Sequence, residues 1–133
     1  MTQAVIDELK LLLLERDERL LCVVKGVVTK REEGPGARPE AMSGFLVVTS
    51  KRVVFHVPKM FGRYEQLVFH YDRISSVKCH GSLRGDRLGI AVDSRYTLIE
   101  DMPAGDGEVA ARIIQDLVGD TKSRSSPPNP RCR

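Results

Sequence analysis

The sequence predicts a mainly β domain, a barrel or sandwich of seven short strands with a helix at each end. Apolar side chains recur at every second position over much of residues 20–100, as in half-buried strands. Turn-forming residues interrupt that stretch at short intervals, and the segments before and after it repeat with the 3.6-residue period of a helix. A length of 133 residues fits one domain with its own core.

The first predicted element is an amphipathic helix within residues 1–19. Its apolar stripe is made by side chains that recur at helical spacing, namely Val5, Ile6, Leu9, Leu12 and Leu13. Leu11 and Leu14 lie off that stripe, on the opposite side of the helix. The sequence therefore predicts that Leu11 and Leu14 form a second contact surface for association. In the alternative, this helix packs wholly on its own barrel.

The strands and a second helix follow in order. The predicted strands cover residues 20–29, 44–49, 52–57, 65–71, 74–80, 87–92 and 95–100. Glycines and prolines within residues 30–41 interrupt any regular element and predict a loop there. Ser50 with Lys51 forms a tight hairpin turn. The second helix ends at Gly119, and its apolar face is made by Val109, Ile113, Ile114 and Leu117. Residues 120–133 carry no apolar period and are expected to form a disordered basic tail.

The formal net charge of +3 is unevenly distributed along the chain. Residues 51–95 hold nine bases and four acids, whereas residues 96–120 hold one base and six acids. A basic side and an acidic side suit weak contact with a membrane surface or head-to-tail self-association. The sequence lacks the dense Lys/Arg face of a DNA-binding protein, and the basic tail supports only weak, non-specific contact. No specific nucleic-acid partner is therefore predicted.

The sequence gives little support for catalysis or metal binding. The three histidines, His56, His70 and His80, lack metal-ligand spacing, and no nucleophile elbow, Walker loop or dinucleotide motif is present. A site built on His70 with Asp72, or on His56 with His70, is the alternative to structural histidines. Three cysteines without short spacing indicate a reducing compartment rather than a disulfide framework or a zinc site. We therefore predict a cytoplasmic protein that is not an enzyme and has no cofactor or metal.

The second and third predicted strands carry a distinctive pattern: a glycine, an apolar strand, Thr-x-x-Arg and another apolar strand. Gly44, Thr49 and Arg52 form it. Gly44 permits close approach of another backbone, and Thr49 can bond backbone groups across the turn. Arg52 can pack its stem along the sheet while its head pairs with a carboxylate. These roles favour a hairpin that determines the fold over a ligand site.

This pattern resembles that of bacterial pleckstrin-homology (PH) domains of the YokE-like kind and of related GRAM domains. The stretch from Tyr71 through Ile74 to Val77 is similar to that family's entry to the fifth strand. The resemblance covers about residues 20–119 and implies a seven-stranded PH-like split barrel capped by a C-terminal helix. The helix in residues 1–19 is additional. The resemblance also implies an adaptor or self-assembling module.

Two surfaces compete for the predicted function, which is an interaction without catalysis in both cases. Cations and an apolar pair are expected on two loops at one end of the barrel, namely Lys30, Arg31, Arg38, Lys59, Met60, Phe61 and Arg63. Such a surface suits anionic lipid headgroups, but Glu32, Glu33 and Glu40 offset the charge of the first loop. We therefore predict protein contact or self-association, through Leu11 and Leu14 or an open sheet edge. Peripheral binding to anionic lipid at the inner face of the membrane is the alternative.

Overall fold

The strands pair in one seven-stranded antiparallel sheet with the order β4-β3-β2-β1-β7-β6-β5. The structure, a computed structural model, describes residues 3–30, 35–36 and 39–125. Its elements are, in chain order, α1 (Gln3–Leu13), β1 (Leu20–Lys30), β2 (Glu40–Thr49), β3 (Arg52–Pro58), a short 3-10 helix (Met60–Gly62), β4 (Tyr64–His70), β5 (Ile74–His80), β6 (Asp86–Val92), β7 (Arg95–Met102) and α2 (Asp106–Ser125). This architecture confirms the predicted fold class.

The structure shifts several predicted boundaries. β2 begins at Glu40 rather than at Gly44, because its first residues pair with the end of β1. Tyr71 lies in the turn after β4 and not in the strand. α2 continues past Gly119 to Ser125, since a glycine costs a helix interior only about 1 kcal/mol. Residues 126–133, the remainder of the predicted disordered tail, lie outside the described residues.

The core lies between the inner face of the sheet and α2. Its large, fully buried side chains include Leu46, Phe55, Ile74, Leu88, Ile90, Ile99, Met102 and Ile114. α2 also buries Ala110 and Ala111, whereas Val109 is exposed, so the predicted apolar face of this helix is wrong at Val109. Two alanines let the helix approach the sheet closely. They were absent from the predicted apolar face because that face was drawn from large apolar residues alone.

α1 covers part of the outer face of the sheet. Leu9 is buried in a cluster with Val47 of β2 and Val54 of β3, and Val5 packs against that cluster. The helix therefore packs on its own barrel through one face, while Leu11 is exposed. Neither described helix is both long and apolar enough to cross a membrane.

Asp86, a buried residue at the start of β6, caps α2 from outside the helix. Its Oδ2 accepts hydrogen bonds from the backbone N–H groups of Gly105, at 2.9 Å, and Glu108, at 3.2 Å. A side chain at Gly107 would meet Asp86, since a Cβ there would lie 2.6 Å from the Asp86 Cβ and 3.1 Å from its Oδ2. This contact fixes the start of α2 against the sheet.

The Asp86→Ala variant is expected to lower the free energy of unfolding by about 1–2 kcal/mol, because two backbone N–H groups lose their acceptor. Asp86→Asn keeps an acceptor oxygen, so its loss should be smaller. Urea unfolding measures both variants, with Asp116→Ala, at an exposed position of α2, as the control that changes little. Equal losses for the alanine and asparagine variants would contradict the capping role.

Candidate functional site

The loop between β3 and β4 exposes two apolar side chains at its tip. The backbone N–H of Lys59 donates to the carbonyl of Arg63 at 2.8 Å, and the N–H of Arg63 donates to the carbonyl of Met60 at 3.3 Å. The loop closes through two residues with positive φ, Phe61 at 59° and Gly62 at 72°. Phe61 is 94% exposed and Met60 is 73% exposed. A bulky residue in the left-handed region costs roughly 1–2 kcal/mol. Phe61 therefore adopts a backbone conformation that it disfavours by itself.

The charges around this loop largely balance. Lys59 Nζ lies 3.9 Å from Glu40 Oε1 and 4.0 Å from Glu65 Oε2. Arg63 is exposed and makes no ion pair within the part of the chain that the structure describes. Among the side chains that the structure describes around this loop, two carboxylates thus accompany two cations. An open recess of about 500 Å³ adjoins the loop and is lined by Lys59, Met60, Phe61, Arg63, Tyr64 and Glu65.

The other predicted residues of the loop surface are only partly described. Lys30 ends β1, where its backbone pairs with Glu40. The Lys30 side chain, and Arg31 and Arg38 altogether, lie outside the described residues. Because Lys59 also approaches Glu40, the structure places the start of β2 and the β3–β4 loop at the same end of the sheet.

The structure separates the two predicted association residues. Leu11 is 88% exposed on α1. Leu14 follows the end of α1, is half-buried, and donates its backbone N–H to the carbonyl of Lys10 at 3.2 Å. An association surface on this helix therefore rests mainly on Leu11.

A buried polar network lies at the opposite end of β2 and β3. The Glu18 side chain has no exposed surface, and Thr49 Oγ1 donates to its Oε2 at 2.5 Å. Arg52 contacts the same carboxylate through Nε, at 3.2 Å from Oε2, and Nη2, at 3.4 Å from Oε1. The Tyr71 hydroxyl donates to the carbonyl of Thr49 at 2.5 Å. The network thus ties the segment before β1 to the β2–β3 turn and to the turn after β4.

The pKa shifts in this network fit a structural role. Burial acts to raise the pKa of Glu18, but hydrogen bonds from Thr49, from the backbone N–H of Glu15 and from Arg52 outweigh it and lower that pKa. Burial, and to a lesser extent the charge of Glu18, raises the pKa of Tyr71. The carboxylate therefore stays charged and the phenol neutral at neutral pH. Glu18 was not predicted as a functional residue, because its only signal in the sequence is an acid placed just before the first apolar strand.

The remaining titratable candidates do not converge. His56 is buried, with Nδ1 3.3 Å from Gln66 Nε2, and burial lowers its pKa against the opposing charge of Glu8. His56 pairs with Gln66 across the sheet whereas His70 pairs with Arg52, so the two histidines do not face each other. Among the residues described, no group of three or more His, Cys, Asp or Glu side chains could hold a metal ion.

Neither of the two described cysteines has the lowered pKa of a nucleophilic thiol. Burial raises the pKa of Cys22, and the charge of Asp106 adds to the shift. Burial also raises the pKa of Cys79, with smaller contributions from Asp86 and Glu108. A nucleophilic cysteine needs a lowered pKa, so both thiols fit packing roles at the rim of the core.

Comparisons with known proteins agree with this geometry. A family model described as a bacterial PH domain matches residues 14–116. Among solved structures, the chain is similar to the PH domain of USP37, with 16% identity, a TM-score of 0.53, and coverage of 75% of this chain and 99% of that one. It is also similar to a DUF1696 family protein with a pleckstrin-homology domain from Shewanella loihica PV-4, with 12% identity, a TM-score of 0.55, and coverage of 90% and 92%.

A further similar structure is the C-terminal domain of an unknown protein from Leishmania infantum, with 12% identity and a TM-score of 0.56. The match covers 87% of this chain and 97% of that one. A search of curated proteins gave no match. Identities this low show that the fold is shared and nothing more.

Proposed function

This chain belongs to the bacterial PH-domain family, and on that premise we propose that it is a non-catalytic module that binds a protein partner through the β3–β4 loop. PH-like folds generally serve as interaction modules, for proteins or for lipids. The observation that carries the proposal is the exposed pair Met60 and Phe61, at the tip of a loop whose charges balance. The hairpin pattern of Thr49 and Arg52 supports placing the chain in the YokE-like or GRAM-like group.

The charge balance favours a protein over an anionic membrane. Each unpaired surface cation contributes about 1 kcal/mol to binding an anionic bilayer, but Lys59 lies between Glu40 and Glu65. A protein pocket gains instead from the apolar side chains, because burying a Phe or Met side chain contributes roughly 1.5–3 kcal/mol. Such a partner would meet this module in the cytoplasm, where the half-buried thiols of Cys22 and Cys79 stay reduced.

Photo-crosslinking from position 61 tests this proposal. A crosslinking residue in place of Phe61 should give one discrete protein adduct, and the partner identified in it is then purified. Phe61→Asp should weaken binding of that purified partner about 30-fold, as expected for a central apolar contact. Leu83→Asp is the matched control, because Leu83 is also a fully exposed apolar side chain in a turn. Unchanged affinity of the Phe61→Asp variant would overturn the proposal.

Membrane contact is the second candidate, because the same apolar tip is followed by Arg63, which is exposed and makes no ion pair with any residue that the structure describes. In that case the Lys30, Arg31 and Arg38 side chains would add charge from the neighbouring loop. Flotation with phosphatidylserine vesicles distinguishes the two functions. Binding that disappears in high salt and in the Phe61→Asp variant would favour the membrane, whereas no flotation favours the protein partner.

A further inference from the structure

The outer edge of β4 is an open pairing surface. β4 ends the sheet order, and no described element pairs with its outer side. Its register with β3 is regular from Arg52–His70 to Pro58–Tyr64, without a bulge. The strand contains one formally charged residue, Glu65, and neither lysine nor proline. Natural proteins blunt an edge with lysine, proline or a bulge, so this edge lacks the usual protection.

The outer edge of β5, at the other end of the sheet, is partly covered. Gln115 of α2 donates its Nε2 to the carbonyl of Val77 in β5 at 2.8 Å. The register between β5 and β6 also shifts between Ile74 and Ser76, and a bulge of this kind distorts an edge. The contrast leaves β4 as the edge that is free to add a strand.

We propose that β4 pairs with β4 of a second copy of this chain, antiparallel and around a two-fold axis, so that two sheets join into one. This inference rests on the proposed function, since it names one protein partner whose contact includes the β3–β4 loop at each end of the paired strands. Two-fold pairing uses the same patch on both copies. The exposed outer-face side chains of Tyr64 and Val68 then continue across the junction.

Charge complementarity selects a second copy as the occupant. Arg63 directly precedes β4 and Asp72 follows shortly after it. Both are exposed, and neither makes an ion pair among the described residues. Antiparallel pairing brings the start of one strand to the end of the other, so Arg63 of each copy approaches Asp72 of its mate. Two opposite-charge contacts thus flank the paired strands. An unrelated peptide strand would need both an acid and a base at matching positions to make the same two contacts.

Sedimentation velocity of the full chain, with charge reversals, tests the pairing. The wild type should dimerise, and Arg63→Glu or Asp72→Arg alone should each weaken dimerisation about tenfold, because each change turns two attractions into repulsions. An equimolar mixture of these two variants should recover a heterodimer, since each copy then again faces an opposite charge. Arg84→Glu, in the turn before β6, is the control and should dimerise like the wild type.

Amide hydrogen exchange provides an independent readout of strand pairing. The amides of β4 should exchange more slowly at high protein concentration than at low concentration, whereas those of β5 should not change. A wild-type monomer at every accessible concentration would overturn the inference, as would a dimer insensitive to both charge reversals. Either result leaves the proposed function standing if a different protein is crosslinked at position 61. If the chain does not dimerise and the crosslinked protein slows exchange of the β4 amides, the inference that a second copy pairs with β4 is also overturned.

Discussion

Replacing Arg52 with methionine is expected to lower the free energy of unfolding by about 3 kcal/mol, because it leaves a buried carboxylate without its cation. Arg52 Nε lies 3.2 Å from Oε2 of Glu18, whose side chain is fully buried. Methionine keeps much of the apolar stem but supplies no charge. Of its contacts with described residues, Glu18 then retains the hydrogen bonds from Thr49 and from the backbone N–H of Glu15. Urea unfolding measures the loss.

Two comparisons separate this effect from the loss of a surface charge. Arg73→Met removes an exposed ion pair, with Asp93 at 3.9 Å, and should cost less than about 1 kcal/mol. Adding Glu18→Gln to Arg52→Met removes the uncompensated charge, so the double variant should be more stable than Arg52→Met alone. Similar losses for Arg52→Met and Arg73→Met would show that the network does not stabilise the fold.

The same carboxylate should make stability depend on pH. The pKa of Glu18 in the folded chain lies below its ordinary value of 4.5, so the unfolded chain binds the proton more readily. Its contribution is therefore fully present above pH 4.5 and is lost as the pH falls through the lower, folded-state pKa. Glu18→Gln should flatten this part of the pH dependence, as measured by urea unfolding between neutral pH and the acid range.

This network also shows where prediction from the sequence stops. Thr49 and Arg52 can be identified from the sequence because they flank a short turn between two strongly apolar strands. Glu18 is 34 residues from Arg52 along the chain, and its position depends on how the segment after α1 crosses the β2–β3 turn. Hydrophobic periodicity specifies which face of a strand is buried, but it does not specify which distant carboxylate meets an arginine.

The candidate site was similarly only half predictable. A short apolar pair between turn residues predicts the exposure of Met60 and Phe61, since a hairpin tip has no layer to cover it. The partners of Lys59 depend on the register of two strands, and the sequence offers several acids for that role. From helical spacing alone, Leu14 was predicted to lie with Leu11 on the side of the helix opposite the apolar stripe. However, α1 ends at Leu13, and Leu14 is half-buried.

The edge character of β4 depends on topology rather than on its own residues. Its alternating sequence pattern resembles that of β6, which is paired on both sides. Only the sheet order shows that β4 and β5 have one neighbour each. Only the contact from Gln115 then shows that β5 is partly covered.

Gly44→Ala is expected to destabilise the fold by about 3 kcal/mol, at the upper end of the range for overpacking. Gly44 lies in the middle of β2, opposite Gly26 of β1. A Cβ at this position would fall far inside contact distance of the His56 carbonyl oxygen, and 3.2 Å from the Val57 Cα. These obstacles are backbone atoms of the paired strand β3, which a rotamer change cannot move. The barrel therefore has to open locally, and thermal and urea unfolding should both report it.

Gly119→Ala is the matched control, because it makes the same chemical change with the opposite expected sign. Gly119 lies inside α2 and a Cβ there would meet nothing within 4 Å. Alanine should raise the free energy of unfolding by roughly 0.5–1 kcal/mol, since it restricts the unfolded chain and favours the helix. If Gly44→Ala left stability unchanged or raised it as Gly119→Ala should, the close approach of β3 to β2 would not be what requires a glycine at position 44.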